Sequence, residues 1–307
     1  MKITRQSKSK SFLAAALGLC ASSAFATTVP YTTALVSTFN PDESPTFFIQ
    51  HSAPAVQADA NYSKSGSWGN VLGTATANLG TGQLKVRAQN AAQSGFFPNM
   101  QVNAWFGDGF RANNTGGGPF NWLPNTGARF SLDLTGSNIT SSDLLGNLGF
   151  GQVGAFVLLS LYQPGTLDPA GKLVGGANNF GYYLYLLGNP NQNLTYTDQQ
   201  GNHQSLIPTA YYGDVTPDIH ITQDFQPNGD FDWAVLVGAA GQIKGGEFYD
   251  MDLSHTLTVG YSGPAGSTTT AESGLFQNFG PPVPEPVGTM LAGFGVMMLL
   301  GRRRAGR

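Results

Sequence analysis

Apolar and polar residues alternate along much of this chain with the two-residue period of half-buried strands. In "ARFSLDLTG" (128–136), Phe130, Leu132 and Leu134 are separated by polar neighbours. "GTATANLGTGQLKVRAQN" (73–90) predicts a hairpin, with Ala75, Ala77 and Leu79 against Leu84, Val86 and Ala88 around Gly80-Thr81-Gly82. "ALVSTF" (34–39) and "TFFIQ" (46–50) add two early strands, and "YDMDLSHTLTVGYSG" (249–263) one long alternating strand. "GAFVLLSLYQPG" (154–165) and "NFGYYLYLLGNP" (179–190) are more continuously apolar, as suits central strands covered on both faces. "PDIHITQDFQPNGDFDWAVLVGAAG" (217–241) predicts a second hairpin turning at Pro227-Asn228-Gly229. One helical turn is expected near 140–149, with Ser141 or Ser142 as N-cap. Roughly ten strands at this spacing predict an all-β fold, a jelly-roll-like β-sandwich.

Composition supports strands over helices. Charged residues are 11% of the chain, against about 25% in average proteins. Glycine takes 41 of 307 positions, so turn formers punctuate most segments and few good helix formers remain.

The two ends break this pattern. "MKITRQSKSK" carries Lys2, Arg5, Lys8 and Lys10 and no acid, followed by an apolar stretch from Phe12. Ala24 and Ala26 then supply the small −3 and −1 residues of a secretory signal peptide cut after Ala26. Leu19 directly before Cys20, with a better cleavage site downstream, argues against lipid attachment. Cys20 is the only cysteine, so the mature chain is expected to rely on its core without disulfides. At the other end Val287 to Leu300 carries no charge. Its fourteen residues would make a helix of about 21 Å at 1.5 Å per residue, short of the roughly 30 Å hydrocarbon core. Arg302, Arg303 and Arg304 would hold the cytoplasmic side and extend into the headgroups, leaving the preceding domain outside. Prolines 281, 282, 284 and 286 keep the approach to this segment extended.

Pro284-Glu285-Pro286, the short apolar segment and the terminal arginines together resemble the PEP-CTERM sorting signal of Gram-negative bacteria. The resemblance covers roughly the last 25 residues. It implies recognition by exosortase, a membrane-embedded partner with a cysteine-protease-like site. It further implies an exported protein tied to exopolysaccharide production and biofilm or floc formation. "ATANLGTGQLKVRA", "NAWFGDGF" and "ARFSLDLTG" are also similar to the opening of many ectodomains that carry this tail, without implying any chemistry. The expected layout is a signal peptide at 1–26, an all-β ectodomain at 27–266, a flexible hinge at 267–282 and the sorting tail at 283–307. The tail includes a short transmembrane helix, which makes the membrane a transient partner.

Between cleavage site and tail, seven Lys and Arg face seventeen Asp and Glu, a net charge of −10. Such a surface suits neither nucleic acid nor anionic lipid. Calcium and neutral or basic glycans remain as partners.

Candidate chemistry is sparse. Gly149-Phe150-Gly151-Gln152-Val153-Gly154 matches G-x-G-x-x-G, but strand-like residues follow where a dinucleotide site needs a helix. His51, His203, His220 and His255 are scattered without metal-ligand spacing, and no G-x-S-x-G elbow occurs. His220 and His255 read as solvent-face strand residues. Asp224, Asn228, Asp230 and Asp232 offer oxygen ligands for Ca²⁺ around a glycine turn. The same residues are what an ordinary turn favours. Asp250 and Asp252 fall on one face of their strand. Trp105, Phe106 and Trp122, beside Phe110 and Phe120, are candidates for a glycan-stacking platform around "RANNTGGGP", or for core packing. The leading expectation is a non-catalytic surface or matrix protein associated with extracellular polysaccharide. A carbohydrate-binding module and a secreted glycan hydrolase are the alternatives.

Overall fold

The two-residue alternation read above is realised as strands throughout. The computed structural model describes residues 32–39, 46–52, 57–96, 99–121, 126–141, 154–164, 179–187, 194–197, 203–206, 210–212, 218–227, 229–243 and 245–280. No helix occurs among them. The strands are, in chain order, β1 (Thr32–Phe39), β2 (Thr46–Ser52), β3 (Gln57–Gly66), β4 (Gly69–Asn78), β5 (Gln83–Ala92), β6 (Asn99–Asn114), β7 (Ala128–Thr135) and β8 (Asn138–Ser141). They continue with β9 (Gly154–Tyr162), β10 (Asn179–Leu187), β11 (Leu194–Thr197), β12 (His203–Leu206), β13 (Ala210–Tyr212), β14 (Asp218–Phe225), β15 (Phe231–Gln242), β16 (Phe248–Ser262) and β17 (Ser267–Ala271).

Two sheets contain fifteen of these strands. The first runs β13-β10-β9-β15-β6-β1-β2, with β17 also on β6; the second runs β14-β7-β16-β5-β4-β3, with β8 also on β16. Pairing within both is antiparallel except for the parallel pair β10 and β13. β11 and β12 form a separate antiparallel pair. Inward residues of both sheets merge into one core, which makes the fold a β-sandwich. Where β4 faces β1 and β6, a Cβ at Gly73 would lie 2.5 Å from Val36 Cγ1 and 3.1 Å from Val102 Cγ2. Only a residue without a side chain permits that approach.

Further along β6 the core becomes aromatic. Phe110 lies 4.5–6.2 Å, centroid to centroid, from Tyr261, Trp233, Phe276, Phe279, Phe231 and Phe130, which come from both sheets and the C-terminal segment. Two tyrosines also tie sheet to sheet. The hydroxyl of Tyr249 on β16 donates to the carbonyl of Gly241 on β15 at 3.2 Å, and that of Tyr185 on β10 donates to Gln223 Oε1 on β14 at 2.7 Å.

The 73–90 hairpin forms as expected, with Ala75 opposite Val86 and Ala77 opposite Leu84. β9 is buried on both faces. Three expectations require correction. Residues 217–241 are not a hairpin, because β14 pairs with β7 in the second sheet while β15 pairs with β6 and β9 in the first. The connection arches across the core, and Phe225 and Phe231 meet there edge to face at 5.2 Å. The segment 267–282 is not a hinge over its described part. β17 adds to the edge of β6 beyond the end of β1, Phe276 is buried, and Asn278 donates to the carbonyl of Val259 at 2.7 Å. The residues packed on the sandwich thus include those through Gly280. The helical turn loses its start, since Thr140 and Ser141 belong to β8; Ser142 and the rest of it lie outside the described residues. The long β16 also breaks its alternation in a bulge between Leu253 and Leu257, where Thr256 adopts φ 118°. A β-branched residue there costs on the order of 1–3 kcal/mol, held by the pairing on either side.

Phe110→Ala is expected to lower unfolding free energy by about 3–5 kcal/mol, because one truncation opens a cavity facing both sheets. Phe279→Ala, at a half-exposed ring, is expected to cost less than about 1 kcal/mol. Urea denaturation checks the pair, and equal losses would contradict the central place given to Phe110.

Candidate functional site

Adjacent residues on a strand point to opposite faces, and this separates the aromatic candidates. Phe106 points inward, is fully buried and meets Trp233 edge to face at 5.8 Å. That corrects its assignment to a glycan platform: its ring belongs to the core. Trp105 lies on the other face of the same sheet, half-buried against a second apolar cluster of Phe156, Leu184, Leu186, Leu236 and Ala240. Trp122 lies outside the described residues. Phe110 is core, and Phe120 is half-buried where its amide bonds to the carbonyl of Ala112.

The acids proposed for calcium are distributed between the two sheets and each engages a protein group. Asp224, on the outer face of β14, accepts from Arg129 Nε at 2.6 Å and Nη2 at 3.1 Å. This two-point pair holds the Asp224 carboxyl below its ordinary value, and the hydrogen bond from Arg129 is the largest cause. Asp230 Oδ1 accepts the amide of Ala112 at 3.0 Å, completing the ladder of β6 where β15 begins. Asp232 is buried, with Oδ1 3.5 Å from Arg111 Nη1. Asn228 lies outside the described residues. Among the described residues no three His, Cys, Asp or Glu side chains gather as a metal-binding group.

The most concentrated polar constellation joins β6, β15 and the turn after β17. Arg111 Nη2 donates to Glu272 Oε2 at 2.7 Å, and its Nη1 faces Asp232 and also donates to the carbonyl of Phe110 at 3.1 Å. A Cβ at Gly109 would fall 2.3 Å from Glu272 Oε2, so glycine is needed for the carboxylates to reach Arg111. On the opposite face, the buried Asp108 accepts the amides of Gly109 at 2.8 Å and Ser273 at 3.0 Å and the Ser273 hydroxyl. Burial is the main influence and pushes the Asp108 carboxyl up, against those three donors. Its geometry clamps the turn that closes β17.

Sequence reasoning named Asp232 but missed Asp108, Arg111 and Glu272. One signal was present. In "WFGDGF" the inward phase runs Phe106, Asp108, Phe110, so an acid occupies a core register. Arg111 and Glu272 are 161 residues apart in the chain, and nothing local announces their meeting.

The outer face of the second sheet carries cross-strand pairs. Arg87 Nη2 donates to Asp250 Oδ2 at 2.9 Å, and its Nε lies 3.7 Å from Asp252, so the two acids expected on one face share one cation. His220 Nδ1 lies 2.9 Å from Asp133 Oδ1, and both His220 and His255 are exposed as expected. Burial opposes the charge on Asp252, but the Ser254 hydroxyl and amide, with Arg87 and His255, outweigh it and lower that carboxyl. The signal-peptide residues Ala24 and Ala26, the motif Pro284, Glu285 and Pro286, and Arg302, Arg303 and Arg304 all lie outside the described residues. No family model, no curated protein and no solved structure matches the chain.

These opposite shifts set the pH dependence. Asp108, raised, contributes most below its ordinary value of 3.8, and that contribution is lost as pH rises through its folded value. Asp224, lowered, contributes above 3.8 and loses that contribution as pH falls through its folded value. Asp224→Asn is therefore expected to cost at most about 1 kcal/mol at neutral pH, with the difference from wild type vanishing in acid. Denaturation across pH checks this, and a difference that persists unchanged into acid would contradict it.

Proposed function

We propose that this chain is an exported, non-catalytic protein of the cell surface or extracellular matrix, processed through its C-terminal tail by exosortase and associated with exopolysaccharide. The observation that carries this reading is the ordered sequence of Pro284-Glu285-Pro286, an uncharged segment and Arg302 to Arg304, paired with a signal-peptide pattern at the other end. The fold is compatible with that use. The sandwich closes its own C-terminal segment against Tyr261 through the amide of Gly280 donating to the Tyr261 carbonyl at 2.8 Å.

A second reading, glycan binding, rests on Trp105 alone among the described candidates. It is half-buried on an outer face and so keeps part of its ring for stacking. Among the described residues calcium has no cluster to support it, and no constellation there favours the hydrolase alternative.

Glu285→Ala in the native host is expected to leave signal cleavage and export intact and to abolish tail removal, because it deletes the one charge in the extended segment before the membrane. Immunoblotting of fractionated cells reads both steps. Unchanged tail removal in the variant would contradict the reading.

A further inference from the structure

The terminal strand β3 presents an acceptor sequence that neither the core nor the ion pairs use. The chain contains four Asn-x-Ser/Thr triplets, at Asn61, Asn113, Asn138 and Asn193. Only the first has a carboxylate two residues upstream: Asp59-Ala60-Asn61-Tyr62-Ser63. The corresponding residues before the other three are Arg111, Gly136 and Asn191. An acid at that place extends the acceptor pattern in the way bacterial oligosaccharyltransferases select.

The strand displays this pattern well. Ala58 and Ala60 are buried and Tyr62 packs on the core, so Asp59, Asn61 and Ser63 share the outward face and are all exposed. On an extended chain they follow one another at about 6.8 Å. A transferase would meet a carboxylate, held in place by Thr76 Oγ1 donating at 2.7 Å and Gln57 Nε2 at 2.8 Å, then an amide and a hydroxyl in one row. Among the described residues β3 is the last strand of its sheet and pairs with β4, and Ser63 through Gly66 are exposed. Of the other described triplets, Asn113 is half-buried on β6 opposite Thr268 of β17. Asn138 is exposed and lies opposite Asp252 of β16, as Asn61 lies opposite Thr74 of β4, and differs from Asn61 in having no acid two residues upstream.

We propose that Asn61 is an N-glycosylation site, accepting an oligosaccharide from a polyprenyl-diphosphate carrier. The anomeric carbon of the sugar forms a bond to Nδ2 of Asn61 as its bond to the diphosphate oxygen breaks. The amide releases one proton, and polyprenyl diphosphate leaves with the electron pair of the broken bond. Asp59 supplies the charge that positions the chain, and Ser63 supplies the hydroxyl at the far end of the row. A glycan here would project from the outward face of the strand that ends its sheet. The inference rests on the proposed function only for export into the compartment where such enzymes work.

The test is a reaction in detergent with the full-length protein, a purified bacterial oligosaccharyltransferase and a polyprenyl-diphosphate oligosaccharide, read by intact mass and fragmentation. The expected result is one glycan on Asn61, lost in Asn61→Gln, Asp59→Asn and Ser63→Ala and kept in Asn138→Gln. A peptide of residues 57–66 serves as the control acceptor. An unmodified Asn61 in the folded protein, whether or not the peptide is modified, would overturn the proposal, as would a glycan on Asn113 or Asn138 instead. Because signal cleavage and tail removal do not enter this reaction, its failure leaves the proposed function standing, and a failure of tail processing leaves this site standing.

Discussion

Aromatic packing between the two sheets is the interaction on which the remaining structure depends. Phe110 sits where rings from β7, β15, β16 and the C-terminal segment converge. Buried rings contribute large apolar area and fix the spacing of the faces they join. With Cys20 the only cysteine, no disulfide within the chain can substitute for that packing. The same convergence explains why chain ends far apart in sequence become one domain. Phe276 enters the core beside Trp233 at 5.2 Å, and this draws the stretch after β17 onto the end of β16.

Polar groups at that end are organised around the aromatic contact. Asp108 occupies a core register and compensates its burial with three donors, thereby clamping the turn at Ser273. On the other face Arg111 gathers Asp232 and Glu272 from two further elements. Asp232 is the buried member, so removing Arg111 takes the nearby cation from a buried carboxylate, while the exposed Glu272 ties the turn after β17 to β6. β17 is "STTTA", with no large apolar residue, so main-chain bonds to β6 and these flanking clamps hold it.

The in-or-out phase of each strand was legible in the sequence; its sheet was not. Ile219, Ile221 and Phe225 alternate as inward residues, and so do Phe231, Trp233 and Val235. That pattern is the same whether the two strands pair side by side or face each other across a core, so turn chemistry at Pro227 to Gly229 was compatible with either. By contrast, Trp105 and Phe106 could have been separated in advance, since neighbours on a strand cannot share a face. The hinge expectation failed because Leu275, Phe276 and Phe279 in a polar stretch carry no strand period, although Phe276 is buried in the core. Of the candidate site, the acids were legible one by one, but Arg129, Arg111 and Arg87 select among them through pairings that are nonlocal.

A sandwich whose described residues run to Gly280 and the tail processing proposed above fit one account, in which the last segment would deliver the domain and then be lost. The most direct measurement is the mass of the mature C-terminus, taken on protein recovered from its native host. The account predicts a chain that ends before the arginine cluster, at or near Pro284 to Pro286. A mature protein that still carries Arg302, Arg303 and Arg304 would contradict it.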